Sequence, residues 1–228
     1  MPVGPDTVLV VRIRLNETPP TNPLDENEQR QAGRFVFERD RRRYLAAHTA
    51  VRVTLGRLLG IDPREVRFAV GPHGKPHLIG PPLDLRFNLS HSGEQALLGI
   101  ALGRDVGIDI EQWKMMSDML GVAQHVFSPT ELARLQQTPE ERRPDVFFRI
   151  WTRKESFIKA LGDGMSFPLA GFEVSDEPSG EQLLLACSAA PREMERWTMR
   201  DLACEAGHTA AITVEGRDFE VVESAYDG

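Results

Sequence analysis

The chain has 228 residues, 41% of them hydrophobic and 27% charged, and its formal net charge is −7. That is enough apolar material for a sizeable core and too little basic surface for a general nucleic-acid binder, whose affinity rests on a broad cationic face. Two cysteines, Cys187 and Cys204, with no CxxC pair exclude a disulfide framework and a structural zinc site, and without a leader or an apolar run of about 20 residues the expectation is cytoplasmic residence.

Residues 7–15 alternate, with Leu9, Val11, Ile13 and Leu15 on one face, and open the chain as a strand. Asn22 and Pro23 suit a helix start, and residues 24–59 carry Phe35, Tyr44, Leu45, Val51, Leu55 and Leu58 at helical spacing broken near Gly33, which predicts two consecutive helices. A short strand over 66–70 leads into the glycine- and proline-punctuated loop GPHGKPH. Strands follow over 84–89, 96–102 and 106–111, the last two joined through Gly103, Arg104 and Asp105 as a predicted hairpin. Residues 118–126 read as a helix; Ser128, Pro129 and Glu131 form an N-cap, N1 and N3 signature; a longer helix covers about 145–161. Strand composition returns at 172–175, 183–187, 196–202 and 209–214, and the acidic tail from residue 215 is expected to be partly disordered. This order predicts an α+β fold of two similar halves meeting near residue 105, with no repeat visible at the level of residues.

Three stretches carry chemistry. In WTRKESFIKALG, residues 151–162, the helical apolar stripe of Phe147, Ile150, Trp151, Phe157, Ile158 and Leu161 has Lys154 near its middle, with Glu155 and Lys159 one turn apart at its edge. Such charges either snorkel to water or pair with one another or with a ligand, because burying them alone costs several kcal/mol. In VGIDIE, residues 106–111, Val106, Ile108 and Ile110 share one face, and Gly107, Asp109 and Glu111 share the other. The two carboxylates, about 7 Å apart at Cα, could reach one hard cation with Gly107 leaving room beside them, or could form a solvated strand face. Arg39, Arg41, Arg42 and Arg43 could recognise phosphate or pair with Glu38 and Asp40. FNLSHSG, residues 87–93, ends a strand in hydroxyls and an imidazole able to donate to phosphate or ribose; a Ser-His nucleophile is disfavoured, since GxSxG is absent and neighbours on a strand point apart.

FNLSHSG, VGIDIE and WTRKESFIKALG, with GKP upstream, resemble in this order the Sfp-type 4′-phosphopantetheinyl transferases over about residues 34–169. The resemblance implies a monomer of two similar α/β halves related by a pseudo-twofold axis, 1–104 on the coenzyme A adenosine and phosphate side and 105–228 on the metal and catalytic side. It implies transfer of the 4′-phosphopantetheine arm of coenzyme A to a serine of an apo acyl or peptidyl carrier protein, magnesium-dependent, with release of 3′,5′-ADP. Asp109, Glu111 and Glu155 match magnesium carboxylates, Lys154 and Lys159 match phosphate-binding lysines, and Arg43, Lys75, Ser90 and His91 match contacts to the 3′-phosphoadenosine part. Glu155 is also the candidate general base. The chain departs from the family where lysines are expected, at Glu28 and Gln31, and where a threonine is expected, at Tyr44. Met115, Met116, Met119 and Leu120, with Arg142 and Arg143 nearby, could receive an acidic carrier helix or belong to the core. The competing function is a non-catalytic coenzyme A or nucleotide-binding regulator; an ATP-dependent phosphotransferase is disfavoured because no GxxxxGK[ST] loop is present.

Overall fold

The computed structural model describes residues 3–17, 19, 21–80, 83–162, 164, 167–178, 183–187 and 191–228. The first half runs β1 (Thr7–Arg14), α1 (Glu26–Ala32), α2 (Glu38–Leu59), a small hairpin of β2 (Phe68–Val70) and β3 (Pro76–Leu78), then β4 (Leu85–Ser92) and β5 (Gln95–Leu102). The second runs β6 (Val106–Gln112), α3 (Met119–Val126), α4 (Pro129–Gln137), α5 (Arg143–Leu161), a small hairpin of β7 (Phe172–Val174) and β8 (Leu184–Cys187), α6 (Glu193–Arg196), β9 (Trp197–Leu202) and β10 (His208–Glu215). The repeat missing from the residues is present in the topology. Each half is a strand, a long helix, a small hairpin and an antiparallel pair, and the sheets order as β1-β5-β4 and β6-β10-β9.

Local chemistry sets the helix ends. The N-cap of α1 falls three residues after Asn22, because Asp25 and Glu28 form a capping box: Asp25 Oδ1 accepts from the backbone of Asn27 and Glu28, and Glu28 Oε2 from the backbone of Asp25. The Ser128 and Glu131 capping box forms as its spacing predicts. Both long helices stop at a glycine in the left-handed region, Gly60 at φ 68° and Gly162 at φ 78°.

Helix α2 lays Ala46, Ala47, Ala50, Val51 and Leu55 over Leu9, Val11, Ile13, Phe87, Leu98 and Ile100 of the first sheet. The opposite face of that sheet, with Val8, Val10, Leu97 and Ala101, meets Val106, Ile108, Ile110 and Ile212 of the second in a core shared by the halves. α5 closes the far side of the second sheet through a core with Phe147, Ile150, Phe157 and Ile158.

Two expectations are corrected. β5 and β6 do not form a hairpin: Gly103, at φ 66°, turns the chain, but β5 already has β1 and β4 on its two edges, so β6 crosses to the second sheet and pairs with β10. The acidic tail is not disordered. Glu220–Ala225 form β11, which runs parallel to β1 from Thr7↔Glu220 to Arg12↔Ala225, with Phe219 buried ahead of it. The last strand of the chain therefore completes the sheet of the first half.

Candidate active site at the seam of the halves

β6 is an edge strand of its sheet, so its outward N–H groups need partners. They find them in side chains of β4: Asn88 Oδ1 accepts from Ile108 N at 2.8 Å, Ser90 Oγ from Ile110 N at 3.4 Å, and Ser92 Oγ from Gln112 N at 3.0 Å. The alternation Asn-x-Ser-x-Ser is thus a side-chain ladder sewing the halves together. Asn88 and Ser92 are structural residues whose signal, period-two polar residues within an apolar strand, is present in the sequence.

The same seam carries the carboxylates. Both faces of β6 are covered, one by the first sheet and one by α5. Gly107 does not leave room beside Asp109, as expected from the strand alone. A Cβ there would lie 2.1 Å from Ser156 O and 2.2 Å from Ala160 N, so the missing side chain is filled by the backbone of α5. A hydrogen bond of 2.8 Å between Ser156 Oγ and Thr213 Oγ1 holds the helix on β10.

This close approach sets Lys159 Nζ 2.5 Å from Asp109 Oδ1 and 3.0 Å from Ser90 Oγ, and Ser90 Oγ donates to Asp109 Oδ1 at 2.8 Å. Ser92 Oγ donates to Glu111 Oε2 at 2.7 Å. Asp109 Oδ2 is buried with no partner among the described residues. Burial, reinforced by the charge of Asp109, pushes the Glu155 carboxyl up; burial also pushes Glu111 up, against the Ser92 hydrogen bond and with Asp109 adding to the rise. Asp109, Glu111 and Glu155 therefore bring three carboxyl groups to a site where the ammonium of Lys159 pairs with Asp109.

That donor set, with its orphaned buried oxygen, fits a hard divalent cation, although among the described residues no three His, Cys, Asp or Glu side chains are already gathered closely enough to hold one.

Ser90 and His91, expected on one ligand, part company. Ser90 is buried toward Asp109, whereas His91 is exposed on the opposite side of β4. There desolvation pulls the imidazole pKa down, with the charges of Lys159, His48 and Arg43 adding to the fall. Arg43 faces the same group. Its Nη2 donates to Glu94 Oε1 at 2.7 Å and its Nε is buried without a partner among the described residues. Arg39 and Arg41 pair with Asp40 and Glu38 on their own helix.

Two lysines lie elsewhere. Lys75 Nζ donates to Val106 O at 3.0 Å and Ala160 O at 2.9 Å, pinning the β2–β3 loop to the start of β6 and the end of α5 rather than joining Arg43 and His91. Lys154, expected to contact phosphate, is fully buried in the second half, and this corrects that expectation. Its Nζ lies 2.9 Å from Glu131 Oε2 and donates to Leu169 O at 2.8 Å and Phe172 O at 2.6 Å, which uses all three donors. Glu131 was read only as a capping residue, yet it also accepts from Val174 N at 2.7 Å. Glu28, where a lysine was expected, accepts from the fully buried Arg52 at 2.6 Å and is 3.1 Å from His48 Nδ1; Tyr44 stacks on His48. Met115 is exposed, while Met116, Met119 and Leu120 pack against the second core.

Known proteins agree with this layout. The family description "4′-phosphopantetheinyl transferase superfamily" matches residues 105–213, and "4′-phosphopantetheinyl transferase, N-terminal" matches residues 20–101. The chain is 35% identical over 196 residues to the 4′-phosphopantetheinyl transferase HetI of Nostoc sp., covering 85% of this chain and 79% of that one. It is 34% identical over 158 residues to the 4′-phosphopantetheinyl transferase Sfp of Bacillus subtilis, covering 69% of each. Among solved structures, the Chronobacterium ammoniagenes ACPS-CoA complex superposes with 18% identity and a TM-score of 0.39 over 50% of this chain and 99% of its own. With matching sequence in both halves and more than two thirds of these relatives' length covered, the chain belongs to the 4′-phosphopantetheinyl transferase superfamily.

Proposed function

We propose that this chain transfers the 4′-phosphopantetheinyl group of coenzyme A to a serine hydroxyl of an apo acyl or peptidyl carrier protein, releasing 3′,5′-ADP. The observation that carries the reading is the cluster of Lys159, Asp109 and Ser90 at the seam, with Glu111 and Glu155 beside it, in a chain of this superfamily. In the reaction the serine oxygen bonds to the phosphorus of the phosphopantetheinyl group as the bond to the leaving 3′,5′-ADP breaks. What must be managed is negative charge on the pyrophosphate.

Asp109, Glu111 and Glu155 would hold magnesium, which when bound supplies positive charge against the pyrophosphate oxygens. Lys159 is drawn from Asp109 to a phosphate oxygen and neutralises it, while Ser90 keeps Asp109 oriented. The serine proton goes to Glu155, whose side chain makes no hydrogen bond among the described residues and so keeps an oxygen free to accept it. Arg43 supplies a cation and His91 an imidazole N–H for the 3′-phosphoadenosine end. Both halves of the site come from one chain, so one copy suffices.

The test is intact-mass measurement of apo acyl and peptidyl carrier domains incubated with the protein, coenzyme A and magnesium, with a chelator control. Addition of one phosphopantetheinyl group, lost on chelation, is expected. Coenzyme A binding with no addition to either carrier would favour a non-catalytic regulator.

A further inference from the structure

Glu28 and His48 form a pair that the three chemical motifs do not contain. Glu28 sits in the first turn of α1 and is anchored twice: Oε2 accepts from Arg52 Nε at 2.6 Å and from the Asp25 backbone at 3.1 Å. Its other oxygen lies 3.1 Å from His48 Nδ1. Tyr44, one turn earlier on α2, stacks on the imidazole with ring centres 3.9 Å apart, and Phe35 in turn packs 5.4 Å from Tyr44. The ring of His48 is therefore fixed from two sides. Arg52 cannot yield Glu28 cheaply, since it is fully buried and also donates to Val66 O and Asp25 Oδ2.

A carboxylate on Nδ1 assigns that nitrogen as a donor and orients the ring. Nε2 has no hydrogen-bond partner among the described residues, and α2 packs over the face of the first sheet on which His91 lies, the face away from Ser90. Arg43 adds a buried Nε without a partner. Cationic and imidazole donors from α2 and β4 thus share one neighbourhood, where Glu28 is engaged by Arg52 and Glu94 Oε1 by Arg43.

We propose that His48 is a phosphate-binding residue of the donor site, held by Glu28 and Tyr44 so that Nε2 completes, with Arg43 and His91, a pocket for the 3′-phosphate of coenzyme A. The proposal rests on the function proposed above. A phosphate at Nε2 and the Glu28 carboxylate at Nδ1 would each accept one N–H of the ring. Glu28 then acts as the support of that ring rather than as a lost lysine.

The test is the affinity of the full chain for coenzyme A and for 3′-dephospho-coenzyme A, by calorimetry, in wild type, His48→Gln and His48→Lys. Wild type is expected to prefer coenzyme A. His48→Gln is expected to lose about tenfold in affinity for coenzyme A, the worth of one charge-assisted hydrogen bond, with no loss for the dephospho form. His48→Lys, which supplies a cation without the ring, is expected to recover part of the preference. Equal loss for both coenzymes would make His48 a packing residue and overturn the proposal, as would no loss for either. Binding of neither coenzyme by wild type would overturn the function on which it rests.

Discussion

The ammonium of Lys154 lies 2.9 Å from the carboxylate of Glu131, and both side chains are fully buried. Burial pushes the Lys154 pKa down and the Glu131 pKa up, each shift opposed by the partner's charge. Glu131 meanwhile ties Ser128 N and Val174 N, so the pair joins α4, α5 and β7. Lys154→Met would leave Glu131 without its counter-charge, and is expected to lower the unfolding free energy by roughly 3–5 kcal/mol in urea titration. The double variant with Glu131→Gln is expected to recover part of that loss, because the uncompensated charge is gone. A Lys154→Met protein as stable as wild type would contradict this placement.

Gly107→Ala probes the contact that sets the site. Its Cβ would meet the α5 backbone at Ser156 and Ala160, atoms that cannot rotate away. The helix must lift, at a cost of about 3 kcal/mol, and Lys159 must withdraw from Asp109. Turnover is expected to fall more than tenfold at temperatures where the variant remains folded, read by carrier modification alongside a thermal melt.

Glu155 gives a pH dependence with a definite sign. Its carboxyl is held above the usual range by burial and by Asp109, so the folded chain keeps a proton that the unfolded chain releases. The resulting stabilisation is full below about pH 4.5, the unfolded value, and is lost as pH rises through the raised folded value. Glu155→Gln removes that cost at neutral pH. Without divalent cations its melting temperature is expected to exceed that of wild type by a few degrees at pH 7, with the gain vanishing near pH 4. Added magnesium is expected to raise the wild-type melting temperature more than that of the variant. A destabilised variant at pH 7 would contradict the assignment.

Ending the chain after Asp218 would strip β11 from β1 and remove the buried ring of Phe219. Stability is expected to drop by about 3–5 kcal/mol, with concentration-dependent aggregation through the bared edge of β1, measured by melts and light scattering.

What the sequence makes legible follows from periodicity. The β6 alternation and the α5 stripe survive into the structure because each element is sandwiched on both sides, so its apolar positions are strongly constrained. The Gly103 turn is not legible as a crossing, since a glycine between two alternating runs looks the same whether the strands pair or part. β11 is hidden by its charge: Glu220, Glu223 and Asp227 dominate the composition, while Val221 and Val222 carry only a weak edge-strand pattern. At the site, Asp109, Glu111, Glu155 and Lys159 stand out as charges that an apolar framework should not keep. Lys154 stands out for the same reason, yet its counter-charge is 23 positions earlier on α4, a separation no local pattern reveals. His48 carries no motif and becomes visible only through Glu28 and Tyr44.

The two lysines of α5 allow the most direct measurement. Single-turnover modification of an apo carrier, followed by intact mass at saturating coenzyme A and magnesium, should be compared for wild type, Lys159→Ala and Lys154→Met at a temperature where all three are folded. Lys159→Ala is expected to be slower by about a hundredfold or more, as for loss of a charge that stabilises a transition state, and Lys154→Met to stay within a few-fold of wild type. The reverse ranking, or a Lys159→Ala protein as fast as wild type, would contradict a catalytic site built where β4, β6 and α5 meet.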